Sequence, residues 1–277
     1  MDRLTTVTIS ERDRAALEFA AEHKLVLAAQ VGVLLRVSEQ TAARRLRALR
    51  DGRLMVEDRP YAGHPSCYQV TAAGLRAIGG RIGAPKPIDR AHYRHDVGLG
   101  WLWLAARAGV WGELAAVVSE RTMRSRDGSA QHLPAATAPD RFGVRLGGYG
   151  PSGRERLHYP DLLLVDRHGH RIAVELELSA KERPRREKIL AGYAADPRID
   201  AVLYLVDRPA VGAAISASAR RSGISDLVHV QPVKWGNDAP PAASDRAATR
   251  TSRRAASRAD ARARQGTPTR AEAEAAR

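Results

Sequence analysis

Apolar residues recur at three- and four-residue spacing along the first fifty positions, and polar residues between them supply helix punctuation. Ser10 caps a predicted helix through Arg14, Ala16, Leu17 and Ala20, with Asp13 where a capping-box acid sits. A short second helix covers Leu27 to Leu34. Ser38 opens a third, Glu39 to Arg50, which stops at Gly52. At about 100° per residue, Ala42, Leu46 and Leu49 share one side of that helix. Gln40, Arg44 and Arg47 take the opposite side, with Thr41 and Arg45 on the flanks. The rhythm then shortens to two. Residues 54–59 and 67–71 read as strands around the Gly- and Pro-bearing turn 60–66, and Thr71 starts a further helix through Leu75 and Ile78.

Ala84-Pro85-Lys86-Pro87 interrupts regular structure and marks a joint. Beyond it, Asp89 to Gly109 fits a helix with His92, Asp96, Leu99, Trp103 and Ala106 on one face. A strand at Ala116 to Glu120 follows, then an apolar strand within His158 to Val165, a turn at Asp166 to His170, and a strictly alternating strand from Arg171 to Leu178. In that last strand Ile172, Val174, Leu176 and Leu178 face one way, and Ala173, Glu175 and Glu177 the other. A basic helix (Lys181 to Ala195), a strand (Asp200 to Val206), a helix (Ala210 to Gly223) and a strand (Leu227 to Val233) complete an α-β-β-β-α-β-α-β order. Trp101, Trp103, Trp111 and Trp235 are expected to serve the core of this region. From Ala239 to Arg277 no large apolar residue occurs, so that stretch is expected to be disordered. The expected organisation is a helix-and-hairpin unit over 8–83, a linker over 84–90, an α/β unit over 91–236 and a basic Arg/Ala-rich tail over 237–277.

Composition narrows the function classes. A length of 277 residues suits one or two domains, and 44% hydrophobic residues can build a core, which excludes a wholly disordered basic protein. No apolar run approaches the ~20 residues of a membrane helix. The amino terminus lacks the basic-then-apolar layout of a secretory signal, so a cytoplasmic protein is expected, with no membrane partner. A lone Cys67 forbids an intramolecular disulfide and a cysteine-based zinc cluster. His92 and His95 are too sparse a pair to define a zinc site. The 45 basic and 31 acidic side chains give a net charge of +14. By segment it divides into +5 over 1–90, +4 over 91–238 and +5 over 239–277. Only 5% of residues are aromatic, which argues against a base-stacking single-strand binder as the main design. Double-stranded DNA is the default partner.

The acids of the middle region carry a separate chemistry. Glu175 and Glu177 lie about 7 Å apart on one strand face, where they repel unless a cation or solvent intervenes. Asp161, at the head of the paired strand, is expected near them. Carboxylates so placed hold Mg²⁺ or Mn²⁺, which activates water and screens a scissile phosphate. The same two glutamates equally fit the solvated face of an edge strand, paired with Arg171 or Arg186.

Three resemblances follow from these residues. The stretch VSEQTAARRLRALRDGRLMVED…YQVTAAGLRAI resembles winged-helix DNA-binding domains. That implies DNA contact through Gln40, Thr41, Arg44, Arg45 and Arg47, and through Arg59 and His64 on the hairpin. The second region resembles the PD-(D/E)xK nuclease fold, Pro160-Asp161 matching its Pro-Asp, Glu175 its second acid and Glu120 its early acidic position. The resemblance implies Glu120, Asp161 and Glu175 as metal ligands and Asp161, Glu175, Glu177 and Lys181 as the catalytic set. The fold's lysine two residues after the second acid is here Glu177, so Lys181 or Lys188 would have to stand in. With SER at 119–121, YPDLLLV…GHRIAVELELSAKE and ILAGYAADPRIDAVLYLVDRPAV, residues 8–235 resemble the replication-relaxation family. That resemblance implies a duplex-DNA-binding protein of plasmid or mobile-element replication or mobilisation, working with other such proteins; the winged-helix resemblance adds a homodimer on paired half-sites. The alternatives are an Mg²⁺-dependent endonuclease, a winged-helix transcriptional regulator, or a protein-interaction module. The expected fold class is α+β: an amino-terminal winged helix-turn-helix, a restriction-endonuclease-like α/β domain and a disordered basic tail.

Overall fold

Helix α1 (Glu11–Glu22) begins in a capping box, the Ser10 side chain accepting from the Asp13 amide while Asp13 accepts from the Ser10 amide. The computed structural model describes residues 9–130, 141–150 and 153–233. After α1 the chain forms β1 (Val26–Leu27), α2 (Ala28–Leu35), α3 (Glu39–Asp51), β2 (Met55–Asp58), β3 (Cys67–Val70) and α4 (Ala72–Ala77). The three strands make an antiparallel sheet in the order β1-β3-β2. Ala42, Leu46 and Leu49 of α3 are buried as their spacing requires, docking the helix on the α1 core. The two-residue β1 escapes sequence patterning because it is too short to alternate.

The segment expected as a joint is held from both sides. Gln69 donates to Lys86 O at 3.0 Å, Arg121 Nη2 donates to Gly83 O at 2.5 Å, and Tyr61 Oη donates to Arg90 O at 2.7 Å. A 3₁₀ turn, Arg90–His92, capped by Asp89, leads into α5 (Tyr93–Arg107), so the helix starts four residues later than its pattern suggested. Asp96, Leu99, Trp103 and Ala106 are buried, but so are Trp101, Leu102 and Leu104 on other faces. The physical reason is that α5 is covered on two sides, by α1 and α2 and by the large sheet. One apolar core therefore runs from the amino-terminal helices through α5 to the sheet. Trp111 is buried there too, while Trp235 and the tail lie outside the described residues.

That sheet is mixed. β4 (Leu114–Ser119), β7 (Leu162–Asp166), β8 (Arg171–Glu177), β9 (Ala201–Val206) and β10 (Val228–Pro232) lie in the order β10-β9-β8-β7-β4. β8 pairs parallel with β9 and antiparallel with β7. Ile172, Val174 and Leu176 face α5. Ala173 faces the other way, toward α7 (Arg183–Ala195) and α8 (Pro209–Arg221), so helices cover both faces. Two elements depart from the expected order: α6 (Glu120–Ala130) after β4, and a separate hairpin of β5 (Val144–Tyr149) and β6 (Glu155–His158). Glu120, expected to end a strand, instead opens α6. The chain is α+β with a mixed sheet.

His23 shows how tightly the halves are joined. It is 4% exposed, with its ring 4.7 Å from Phe19 and 5.4 Å from Trp103 of α5. Burial, reinforced by the Arg121 charge, pushes its imidazole from the ordinary 6.5 down to about 3. The unfolded chain takes up that proton first, so the stability contributed by a neutral His23 is present above pH 6.5 and is lost as pH falls toward 3. The slope is about 1.4 kcal/mol per pH unit. His23→Phe is expected to remove this slope. Urea midpoints at several pH values in that window check it, and identical acid sensitivity in both proteins would exclude His23 as its source.

Candidate nucleic-acid interface and buried carboxylate cluster

Helix α3 divides its polar residues into two groups. Gln40, Arg44 and Arg47 are exposed opposite the docked apolar stripe, and neither arginine makes an ion pair among the described residues. Arg45 is committed elsewhere: its Nη1 lies 2.5 Å from Asp13 Oδ1 and donates to Ser10 Oγ at 3.0 Å. Burial acts against the Asp13 carboxylate, but hydrogen bonds from Ser10 and Arg45 hold its pKa below the usual value. Arg45 thus fixes α3 to the start of α1. Thr41 is also used internally, its amide donating to Ser38 Oγ and its Oγ1 accepting from that hydroxyl at 2.9 Å.

The hairpin after α3 is similarly split. Arg59 is exposed, with Nη2 3.3 Å from Ser66 Oγ. His64 is half-buried, its ring 5.6 Å from Tyr61 and edge-on to Tyr93 of α5 at 6.0 Å. The loop leans on the head of α5, a contact between residues distant in sequence that local patterning does not reveal.

The candidate acids are buried. Glu175 is 2% exposed and Glu177 6%, because β8 is the central strand rather than an edge. Their expected solvated face and pairing with Arg171 or Arg186 are replaced by internal partners. Glu175 Oε1 lies 2.6 Å from His158 Nε2 and accepts from Tyr193 Oη of α7. Glu177 pairs with Lys181 Nζ. Asp161, just before β7, accepts from the Leu176 amide at 2.8 Å and lies 3.2 Å from His95 Nε2 of α5. His95 also faces Asp96, which pairs with Lys24 at 3.1 Å, so a chain of charges reaches back to the amino-terminal unit.

The electrostatics follow from this pairing. Burial opposes the charged form of His95, but the carboxylates of Asp161 and Asp96 push its pKa up to about 10. Burial likewise opposes the His158 charge, and Glu175 overrides it, raising the pKa. Lys181 is raised by Glu175 and Glu177 against its own desolvation. Burial raises Glu177, partly offset by Lys181.

The metal set implied by resemblance, Glu120, Asp161 and Glu175, does not converge. Glu120 pairs with Arg124 at 2.8 Å, and only its amide reaches Asp161, donating to the backbone carbonyl at 3.1 Å. Asp161 meets His95 of α5, whereas Glu175 meets Tyr193 of α7, although both carboxylates act on Lys181. Among the described residues no three His, Cys, Asp or Glu side chains are grouped to hold a metal ion. The arrangement therefore does not fit an Mg²⁺ or Mn²⁺ site, since Glu120 is turned to Arg124 while Asp161 Oδ2 and Glu175 Oε1 already accept from protein donors. Sequence reasoning weighed His95 only as a zinc ligand beside His92, and missed His158 and Tyr193. His158 stands three residues before Asp161 and just ahead of the apolar β7, a local signal for it, but Tyr193 joins the cluster only through the packing of α7.

Among the described residues no helix is long and apolar enough to cross a membrane. No protein-family model, curated protein or solved structure matches the chain.

Proposed function

We propose that this chain is a duplex-DNA-binding protein whose residues 8–83 act as a winged helix-turn-helix, supported by a nuclease-like α/β unit. The observation that carries the reading is α3: Gln40, Arg44 and Arg47 lie exposed and without ion pairs on the face opposite its buried stripe. The order α1-β1-α2-α3-β2-β3, with β1 closing the hairpin sheet, supports the same reading. Long donors on a docked helix can reach base edges and phosphates in a major groove. Arg45 and Thr41 then serve as positioning residues, Arg59 flanks the groove, and His64 belongs to the hairpin's support. The resemblance to replication-relaxation proteins extends the proposal to plasmid or mobile-element DNA in the cytoplasm, with a homodimer and other replication or mobilisation proteins as partners.

Arg44→Ala with Arg47→Ala is expected to weaken duplex binding and to flatten its log–log salt dependence by roughly two units. Fluorescence anisotropy across a salt series measures both. An unchanged slope would take α3 out of the interface.

A second reading, a metal-dependent endonuclease, is favoured by one observation: Lys181 reaches Glu177 and lies in the field of Glu175 and Asp161. It would supply the cation that the fold's missing lysine normally provides. The carboxylates do not converge on a metal, so no step is assigned to one. Plasmid DNA incubated with Mg²⁺ or Mn²⁺ beside an Asp161→Ala control is expected to remain intact in both tubes. Cleavage by the native chain alone would favour the enzyme.

A further inference from the structure

The β5–β6 hairpin stands outside the five-stranded sheet of the second region, and its surface is distinctive. It carries Arg141, Arg145, Arg154 and Arg156, all exposed, against a single acid, Glu155. That acid is shared, lying 3.0 Å from Arg141 and 3.3 Å from Arg145. Arg154 and Arg156 make no ion pair among the described residues. Tyr149, at the end of β5, is 69% exposed, more than the other large apolar residues on the described surface.

The backbone explains why these groups stand clear. Gly147 and Gly148 have φ of 73° and 71°, left-handed values that a side chain disfavours, where the register of β5 against β6 shifts. The base of the hairpin is seated on α7, where a Cβ at Gly192 would come within 2.9 Å of Arg145 O. Strand alternation puts Arg156 and His158 of β6 on one face, Arg154 lies just before the strand, and His158 touches Glu175. A row of cationic side chains therefore ends at the buried carboxylate cluster.

We propose that this hairpin is a second DNA-contact element, with Arg154 and Arg156 on phosphates and Tyr149 packing its ring against a deoxyribose. The inference rests on the duplex-binding reading and extends it to the second half of the chain. Unpaired guanidinium groups complement phosphate, the glycines remove side chains where a nucleic-acid backbone would approach, and an exposed aromatic ring offers an apolar face to a sugar.

The lone Cys67 is buried, so a cysteine placed on the surface becomes the reactive thiol of the folded chain. Full-length Ala48→Cys, on exposed α3 surface, and Tyr149→Cys are each tagged with an iron chelate and bound to end-labelled duplex. Both are expected to cut the DNA, at different positions. In the untagged chain, Arg154→Ala with Arg156→Ala is expected to lower the salt slope by roughly two units, and Tyr149→Phe to retain affinity that Tyr149→Ala loses. Cutting from position 48 alone, with the slope unchanged in the double variant, would overturn the hairpin inference and leave the α3 reading intact. No binding of duplex by the native chain would overturn both.

Discussion

Glu175→Ala is expected to lower the stability of the folded protein by about 3–5 kcal/mol, the usual cost of removing one partner from a buried ion pair. The carboxylate is 2% exposed and serves both His158 Nε2 and Tyr193 Oη. Its loss leaves a half-buried imidazole and a fully buried phenol without their acceptor, and a small void beside Tyr193. Glu175→Gln keeps the shape and an acceptor oxygen, so it should cost less. The pH dependence provides a second readout. Burial disfavours protonated His158, yet Glu175 raises its pKa above 6.5. The stability gained from that proton is fully present below pH 6.5 and is lost as pH rises through the folded value. In Glu175→Ala this contribution should vanish. Urea unfolding of native protein and both variants at two pH values tests it, and a change below about 1 kcal/mol for the alanine variant would contradict a paired, buried cluster.

Gly74→Ala carries the second large effect, and its sign is informative. In an exposed helix the change would stabilise by about 1 kcal/mol through helix propensity. In α4 the added Cβ would lie 2.2 Å from Leu54 O and 2.9 Å from Val70 Cγ2. Leu54 O is already occupied, accepting from the Thr71 amide and hydroxyl, each at 3.0 Å. The helix would have to lift away from β2, breaking those bonds and opening the core beneath Leu75. A net loss of about 3 kcal/mol is expected. That corresponds to a fall of about 6–12 °C in Tm for a chain of this size. A Tm equal to or above the native value would show that α4 is not seated on Leu54.

Local chemistry made part of this architecture legible. The Ser10–Asp13 capping box, the Ser38 cap and the Ala42-Leu46-Leu49 stripe are decided within a few residues, and each formed as its spacing implies. The alternation of β8 likewise told which residues share a face. It did not reveal that both faces are covered, because that depends on β9 and on α7 and α8, which follow in the chain. Glu175 and Glu177 therefore looked ready for solvent or metal, while their partners His158, Tyr193 and Lys181 come from β6, α7 and the loop after β8. Arg45 shows the same gap at α3. Its helical position is that of a groove-facing side chain, and only its pairing with Asp13, 32 residues earlier, retires it. The polar α6 and the glycine-rich β5 lacked any apolar period to read.

Helix α5 is buried against α2 on one side and against β7 and β8 on the other, with Gln30 donating to Val97 O at 2.8 Å across the first contact. Gly100 permits that approach, since a Cβ there would meet the Gln30 amide at 2.7 Å. The helix thus acts as a bracket rather than a hinge. Neither half can be excised as an independent module without baring the tryptophan-rich flank of α5.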